Sequence, residues 1–234
     1  IILRSYKKIQ TMKKNVLISL ALMVTDLVFA QNIRVYNWDF KNGSEAQVEK
    51  IFEQYFNKAR KSGSAILQRV RFLDNVTHRI LITGDPANWG SKDEITDVEW
   101  NAFYRGMWMH QQSKAPGSYT GKSLVWIEGN REKNNVGQIW IMKVADSNKY
   151  LNAFNKFIKQ VVDILGDRSI GFGEMNMGRN GATHYAVFYG DNLSDVELTM
   201  DKIRASKAFV EMVDNRGEVE ILNSFMVSTL MICE

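Results

Sequence analysis

The chain writes one short phrase twice. THRILITGD spans Thr77–Asp85, and THYAVFYGD spans Thr183–Asp191, 106 residues further on. Both begin Thr-His and end Gly-Asp around an apolar stretch. Repetition at so long a period marks a duplicated supersecondary unit, which restricts the possible folds more than any single motif does. The repeat extends beyond the phrase. IRVYNWDF (Ile33–Phe40) aligns with IWIMKVAD (Ile139–Asp146) at the same offset, whereas ITDVEW (Ile95–Trp100) aligns with LSDVEL (Leu193–Leu198) at an offset of 98. One insertion, in the loop Pro86–Glu94, reconciles the two offsets.

Each copy predicts the same order of elements. A β-branched and aromatic first strand (Ile33–Phe40 or Ile139–Asp146) leads into an amphipathic helix. The apolar stripe of that helix is Val48, Ile51, Phe52, Tyr55, Phe56 and Ala59 in copy one; in copy two it runs Leu151, Phe154, Phe157, Ile158, Val161, Val162 and Leu165. Lys61-Ser62-Gly63 and Gly166 are expected to end the two helices. Two strands follow: Ala65–Leu73 with His78–Thr83, and Ile170–Met177 with His184–Tyr189. Second helices are expected from capping boxes at Thr96/Glu99 and Ser194/Glu197, and last strands at Ser123–Glu128 and Ser224–Thr229. The domain plan is a leader (1–30), a first βαββαβ unit (31–130) and a second (131–234), joined by the polar linker Gly129–Gln138.

A single βαββαβ unit covers one sheet face with helices and leaves the other bare; a second copy can cover it. In element order and internal repeat, Ile33–Thr229 resembles the dimeric α+β barrel superfamily in its fused, tandem form. The resemblance implies an α+β fold in which two ferredoxin-like repeats pack sheet to sheet. It implies no activity, because no signature motif accompanies it.

The leader accounts for the basic charge. Met12 opens a stretch with Lys13 and Lys14 ahead of an apolar run and a small residue at Ala30, the pattern of a secretory signal cut before Gln31. Residues 1–30 carry a net +4, as does the whole chain, so the remainder is neutral and offers no case for nucleic-acid binding. The expected location is therefore periplasmic or secreted, without stable membrane insertion once the signal is cut. The one cysteine, Cys233, cannot form an internal disulfide.

Candidate chemistry follows from residue type. His78 and His184 begin equivalent strands, and as proton carriers they are the candidate catalytic residues of an oxygenase- or isomerase-like enzyme. Asp85 and Asp191 lie about 23 Å down the same strands at ~3.3 Å per residue, too far to pair with them, and are expected to be strand exits. Arg69 and Arg71, facing Glu174 across the repeats, are candidates for an anion clamp if the apolar parity of their strands faces the helices. Tyr36, Trp38, Trp140 and Tyr185 are candidate aromatic contacts to a ligand, and Trp89 a lid or partner surface. Some haem-binding members of the barrel superfamily carry a histidine ligand on the helix where His110 stands; copy two has none, and neither cofactor nor metal is expected. The leading expectation is a non-enzymatic binder of a small apolar or aromatic molecule between the repeats. The alternatives are the cofactor-independent enzyme and an envelope interaction module.

Overall fold

Alternation along the first strand sets the architecture. Strand β1 (Asn32–Phe40) buries Ile33 and Val35 on one face and Trp38 and Phe40 on the other, so both sides of it are covered. The computed structural model describes residues 31–178 and 180–234, and the expected leader lies outside them. The first repeat continues with α1 (Glu45–Phe56), β2 (Ala65–Arg71), β3 (His78–Gly84), α2 (Asp97–His110), the short β4 (Gln111–Ser113) and β5 (Tyr119–Ile127). The second runs β6 (Val136–Val144), α3 (Ser147–Leu165), β7 (Ser169–Met177), β8 (His184–Gly190), α4 (Leu193–Arg204), α5 (Lys207–Asn215) and β9 (Val219–Cys233).

Each repeat forms a four-stranded antiparallel sheet, ordered β5-β1-β3-β2 in the first and β9-β6-β8-β7 in the second. The two sheets face one another, and they also join. Seven residue pairs link β2 to β9, and seven link β5 to β7. Eight strands thus close into one antiparallel ring, with β4 appended to β1. This is the expected α+β barrel of two ferredoxin-like repeats. Closure removes the open edges that a lone sheet would present.

Three apolar cores result. One fills the barrel, including Ile33, Val35, Ile139, Tyr185, Val187 and Val227. Another lies between the first sheet and α1–α2, around Phe52, Phe56, Phe103 and Met107. The third lies between the second sheet and α3–α5, around Phe154, Phe157, Phe172 and Phe188. Among the described residues no helix is long and apolar enough to cross a membrane.

Three local expectations need correction. Helix α1 stops at Phe56, before Lys61–Gly63; Gly63 instead turns the chain two residues ahead of β2 with φ +62°, where a Cβ would collide with the Thr83 carbonyl. The Thr96/Glu99 capping box forms, but the Ser194/Glu197 one does not. With only Asn192 between Asp191 and Leu193, Asn192 itself becomes the N-cap and accepts from the Asp195 N–H at 3.0 Å. The second helix of repeat two is also broken at Ala205, where Ser206 caps the new helix α5.

Neither half has an inside without the other. Expressed separately, 31–130 and 131–234 are expected to aggregate or self-associate, because each exposes two unpaired strand edges and half of the interior core. Size-exclusion chromatography with thermal melts checks this; two monomeric halves with sharp transitions would contradict it.

Candidate functional site

The repeated Thr-His is a joint of the fold. The Thr77 hydroxyl accepts the Phe40 N–H at 2.8 Å, and the Thr183 hydroxyl accepts the Val144 N–H, also at 2.8 Å. The Thr77 N–H donates to the Trp38 carbonyl, and the Thr183 N–H to the Met142 carbonyl. Each threonine therefore ties the end of its repeat's first strand to the start of its third. The neighbouring histidines turn outward, towards the helices. His78 Nδ1 lies 3.1 Å from Thr77 Oγ1, and its ring packs on Phe40. His184 Nδ1 lies 2.8 Å from Thr183 Oγ1, its Nε2 lies 2.9 Å from Ser147 Oγ, and its ring stacks on Phe172. Burial first, and the nearby Arg69 charge second, push the His78 pKa down to about 4, only partly offset by Glu45.

Most of the other candidates share this outward face. The parity of β2 is the reverse of the one expected: Val70 packs inside the barrel, so Arg69 and Arg71 point away from it. Glu174 stands directly across from His184, on the helix side of β7. Arg69 holds the equivalent place beside His78, so the repeat carries opposite charges at one position and no clamp forms. Trp38 is buried in the first helix-side core, while Tyr36 is 42% exposed. Trp89 lies half-buried beneath the Arg34 guanidinium, 3.6 Å from the ring centroid, and its loop folds back onto residues 59–61. Only Tyr185 of the expected ligand contacts faces the interior.

That interior contains a cavity of about 120 Å³. It is lined by Ile33, Val35, Leu81 and Val187 together with Tyr119, Trp126, Tyr185 and Tyr189. Three inward glycines seat the large rings. Gly173 lies opposite Tyr185, Gly171 opposite Trp126 and Gly137 opposite Tyr189; a Cβ at any of them would enter the facing ring. The Gly171-Phe172-Gly173 run is thus a cradle for aromatics. Val70, Val76, Met175 and Ala182 fill the Thr-His end of the barrel, so the cavity runs towards the opposite end, where Gln31, Ser64, Glu128 and Arg131 line it.

Within this apolar lining sits a polar group that the sequence reading missed. Arg79 is 3% exposed and Gln68 1%. Arg79 Nε donates to Gln68 Oε1 at 2.7 Å, and its NH2 group donates to the Tyr189 hydroxyl at 3.3 Å. The Gln68 amide donates to Tyr189 at 3.0 Å and to Thr229 at 3.1 Å. Arg79 enters no ion pair among the described residues. Burial raises the pKa of Tyr119 and Tyr185, so both are neutral phenols at physiological pH. The signal was present in the opening phrase: in an alternating strand, an outward His78 sends Arg79, Leu81 and Thr83 inward.

A second cavity, about 200 Å³, lies between the outer face of the second sheet and α3–α5. Trp140 lines it with Met142, Phe154, Phe157, Met200 and Met212, and Arg204 and Arg216 border it. It is larger. Besides Arg204, its polar groups are the buried Tyr150 hydroxyl and Arg216 beside it, at the edge of an otherwise apolar lining, whereas in the barrel interior Arg79, Gln68 and Tyr189 converge on the void. No histidine lines either cavity, and His110 ends α2 with its carbonyl accepting the Lys41 N–H. The described residues thus place no histidine ligand for a haem iron in either void, and none of their acidic, histidine or cysteine side chains cluster as a metal site.

No protein-family model matches the chain, and no curated protein does. Solved structures do. A protein from Lactobacillus acidophilus NCFM whose name proposes a monooxygenase superposes with a TM-score of 0.60 at 8% identity, over 88% of this chain and 96% of that one. An anthrone oxidase-like protein gives 0.52 at 11% identity, covering 87% and 92%. A mutant chlorite dismutase from Candidatus Nitrospira defluvii gives 0.53 at 10% identity, covering 86% and 92%. At such identities the likeness establishes the ferredoxin-like α+β barrel and nothing of the chemistry.

Two substitutions test this geometry. His78 is held neutral in the fold, so the unfolded chain binds a proton between pH 6.5 and about 4 that the folded chain does not. Its contribution to stability is complete above pH 6.5 and lost as pH falls towards 4, with a ceiling of roughly 3 kcal/mol. Melts of wild type and His78→Gln across that window should converge at low pH; an unchanged difference would refute the assignment. Gly173→Ala should drive a methyl into the Tyr185 ring and destabilise by ~1–3 kcal/mol. Urea titration measures this, and an unaltered midpoint would show that the ring has room to move.

Proposed function

We propose that the protein binds a small apolar or aromatic molecule inside the barrel, between its two repeats. The observation that carries this reading is the Arg79–Gln68–Tyr189 network, buried in an aromatic-lined void that extends to one barrel end. Apolar walls supply affinity, and a few fixed polar groups supply orientation. The size fits: an apolar cavity of ~150 Å³ takes up benzene in another protein, and this one is about 120 Å³. The ligand is accordingly a single ring or a compact branched chain.

The names of the structural neighbours include a proposed monooxygenase, an anthrone oxidase-like protein, a chlorite dismutase and a haem-binding protein, and are compatible with binding or catalysis. Within this chain, the outward placement of His78 and His184 supports binding over a histidine-driven proton transfer. Membership of the dimeric α+β barrel superfamily in its fused form is part of the same proposal. So is action outside the cytoplasm, which rests on the Met12–Ala30 sequence pattern alone.

Native mass spectrometry of the purified protein, with thermal melts against single-ring compounds, tests the reading. A ligand at one hundred times its Kd stabilises by ~2.7 kcal/mol, which raises Tm by roughly 5–10 °C for a chain of this size. Leu81→Trp, which fills the void, should abolish that rise. No bound mass and no stabilising compound, or equal stabilisation of the filled variant, would sink the proposal.

A further inference from the structure

The interior holds a cation without an anion. A guanidinium stays charged across the pH range proteins experience, and a buried charge is normally paired. Arg79 has only neutral partners: Gln68 Oε1 at 2.7 Å and the Tyr189 hydroxyl at 3.3 Å, with the Phe225 ring 5.7 Å from its Cζ. Those two contacts use two of its five N–H groups. The Tyr119 hydroxyl lies near the guanidinium as well, so at least two N–H groups remain beyond these neighbours. The Tyr189 oxygen already accepts from both Arg79 and Gln68, so its own proton is directed elsewhere. The network therefore offers the void donors in excess of acceptors, around a net positive charge.

We propose, resting on the reading of the interior as a ligand site, that its ligand is a monoanion whose carboxylate is held by Arg79 with the Tyr189 hydroxyl as second donor. A carboxylate matches the planar fork of a guanidinium, and the pair would satisfy the free N–H groups together with the charge. The remainder of the ligand is apolar, because Ile33, Val35, Leu81 and Val187 surround that point. The rim disfavours a second negative charge. Glu128 and Glu234 meet there on a single Arg131, at 2.7 and 2.9 Å, and this excess of negative charge opposes a dianion. The class is thus an aromatic or branched aliphatic monocarboxylate.

Repeat symmetry supports the assignment independently. Arg79 and Tyr185 occupy equivalent places in the two copies of the opening phrase. At that position the second repeat satisfies the interior with a buried, neutral phenol, seated over Gly173. The barrel thus accommodates a neutral side chain there, and the charge in the first repeat belongs to what the cavity receives.

Calorimetric titration with benzoate, benzyl alcohol and phthalate decides the matter. Benzoate should bind at least tenfold more tightly than benzyl alcohol, and phthalate more weakly than benzoate. In Arg79→Met, the ratio of benzoate to benzyl alcohol affinity should collapse to within about twofold, and its melting temperature reports whether the variant is folded. Tyr189→Phe keeps the ring and its glycine seat but removes the donor; it should weaken benzoate about fivefold and alter benzyl alcohol less. Benzyl alcohol binding as tightly as benzoate would overturn the anion and leave the pocket standing. Binding of none of the three, with no effect on melting, would overturn both.

Discussion

The structure depends on two inter-repeat ladders, β2 with β9 and β5 with β7. Each ferredoxin-like unit ends in two open strand edges, and each covers only one sheet face with its own helices. Pairing the edges satisfies the backbone donors and acceptors there, and at the same stroke turns the bare faces towards each other. The molecule then has an enclosed interior and two helix-covered exteriors. Every side chain on a strand belongs to one or the other by parity.

The duplication stayed alike at the joint that builds this division. Thr77 and Thr183 tie first strand to third in each unit, a task set by local strand geometry that is the same in both copies. Outward residues next to them pack on helices contributed by their own repeat. The inward positions meet residues of the other repeat, so identical side chains would face each other across the barrel. The copies differ on both faces, as outward Ile80 against Ala186 and Ile82 against Phe188 show, but the inward differences shape the interior: Arg79 against Tyr185, Leu81 against Val187, Thr83 against Tyr189. The bulky side chains gathered in the second repeat and β5 fit because Gly137, Gly171 and Gly173 leave room over the sheet. Asymmetry inside a nearly symmetric shell is what converts a packed core into a cavity with one polar pole.

Much of the fold was legible because it is periodic. Repeat offset, helix stripes and turn residues all report local geometry, and local geometry suffices to order the strands of a βαββαβ unit. The helix break at Ala205 and the N-cap at Asn192 were harder, since several capping residues compete within a few positions. The site was largely illegible for a different reason. Assigning Arg69 and Arg71 to the interior required knowing which face of β2 meets helices, and both faces carry apolar residues: Leu67 outside, Ile66 and Val70 inside. In a barrel with helices outside, both faces of a strand are buried, so hydrophobicity does not choose between them. One fixed point, such as the outward His78, would have set the phase of the whole strand.

Arg79 departs from what packing alone would select. Breaking or omitting a partner for a buried charge commonly costs ~3–5 kcal/mol, a large share of the 5–15 kcal/mol that holds a domain together. Gln68 and Tyr189 soften that cost by hydrogen bonding without cancelling the charge. A well-packed apolar or phenolic side chain would serve the barrel better, and the second repeat carries one at the matching place. Residues that break the local rules of stability without a structural return are concentrated where a protein meets its ligand. Closure of the barrel, the glycine seats, and the linker that brings Arg131 across to Glu128 and Glu234 then share a consequence. They hold a positively charged, donor-rich pole at the bottom of an apolar shaft, shielded from bulk water, where the low local dielectric strengthens its attraction for a single negative charge.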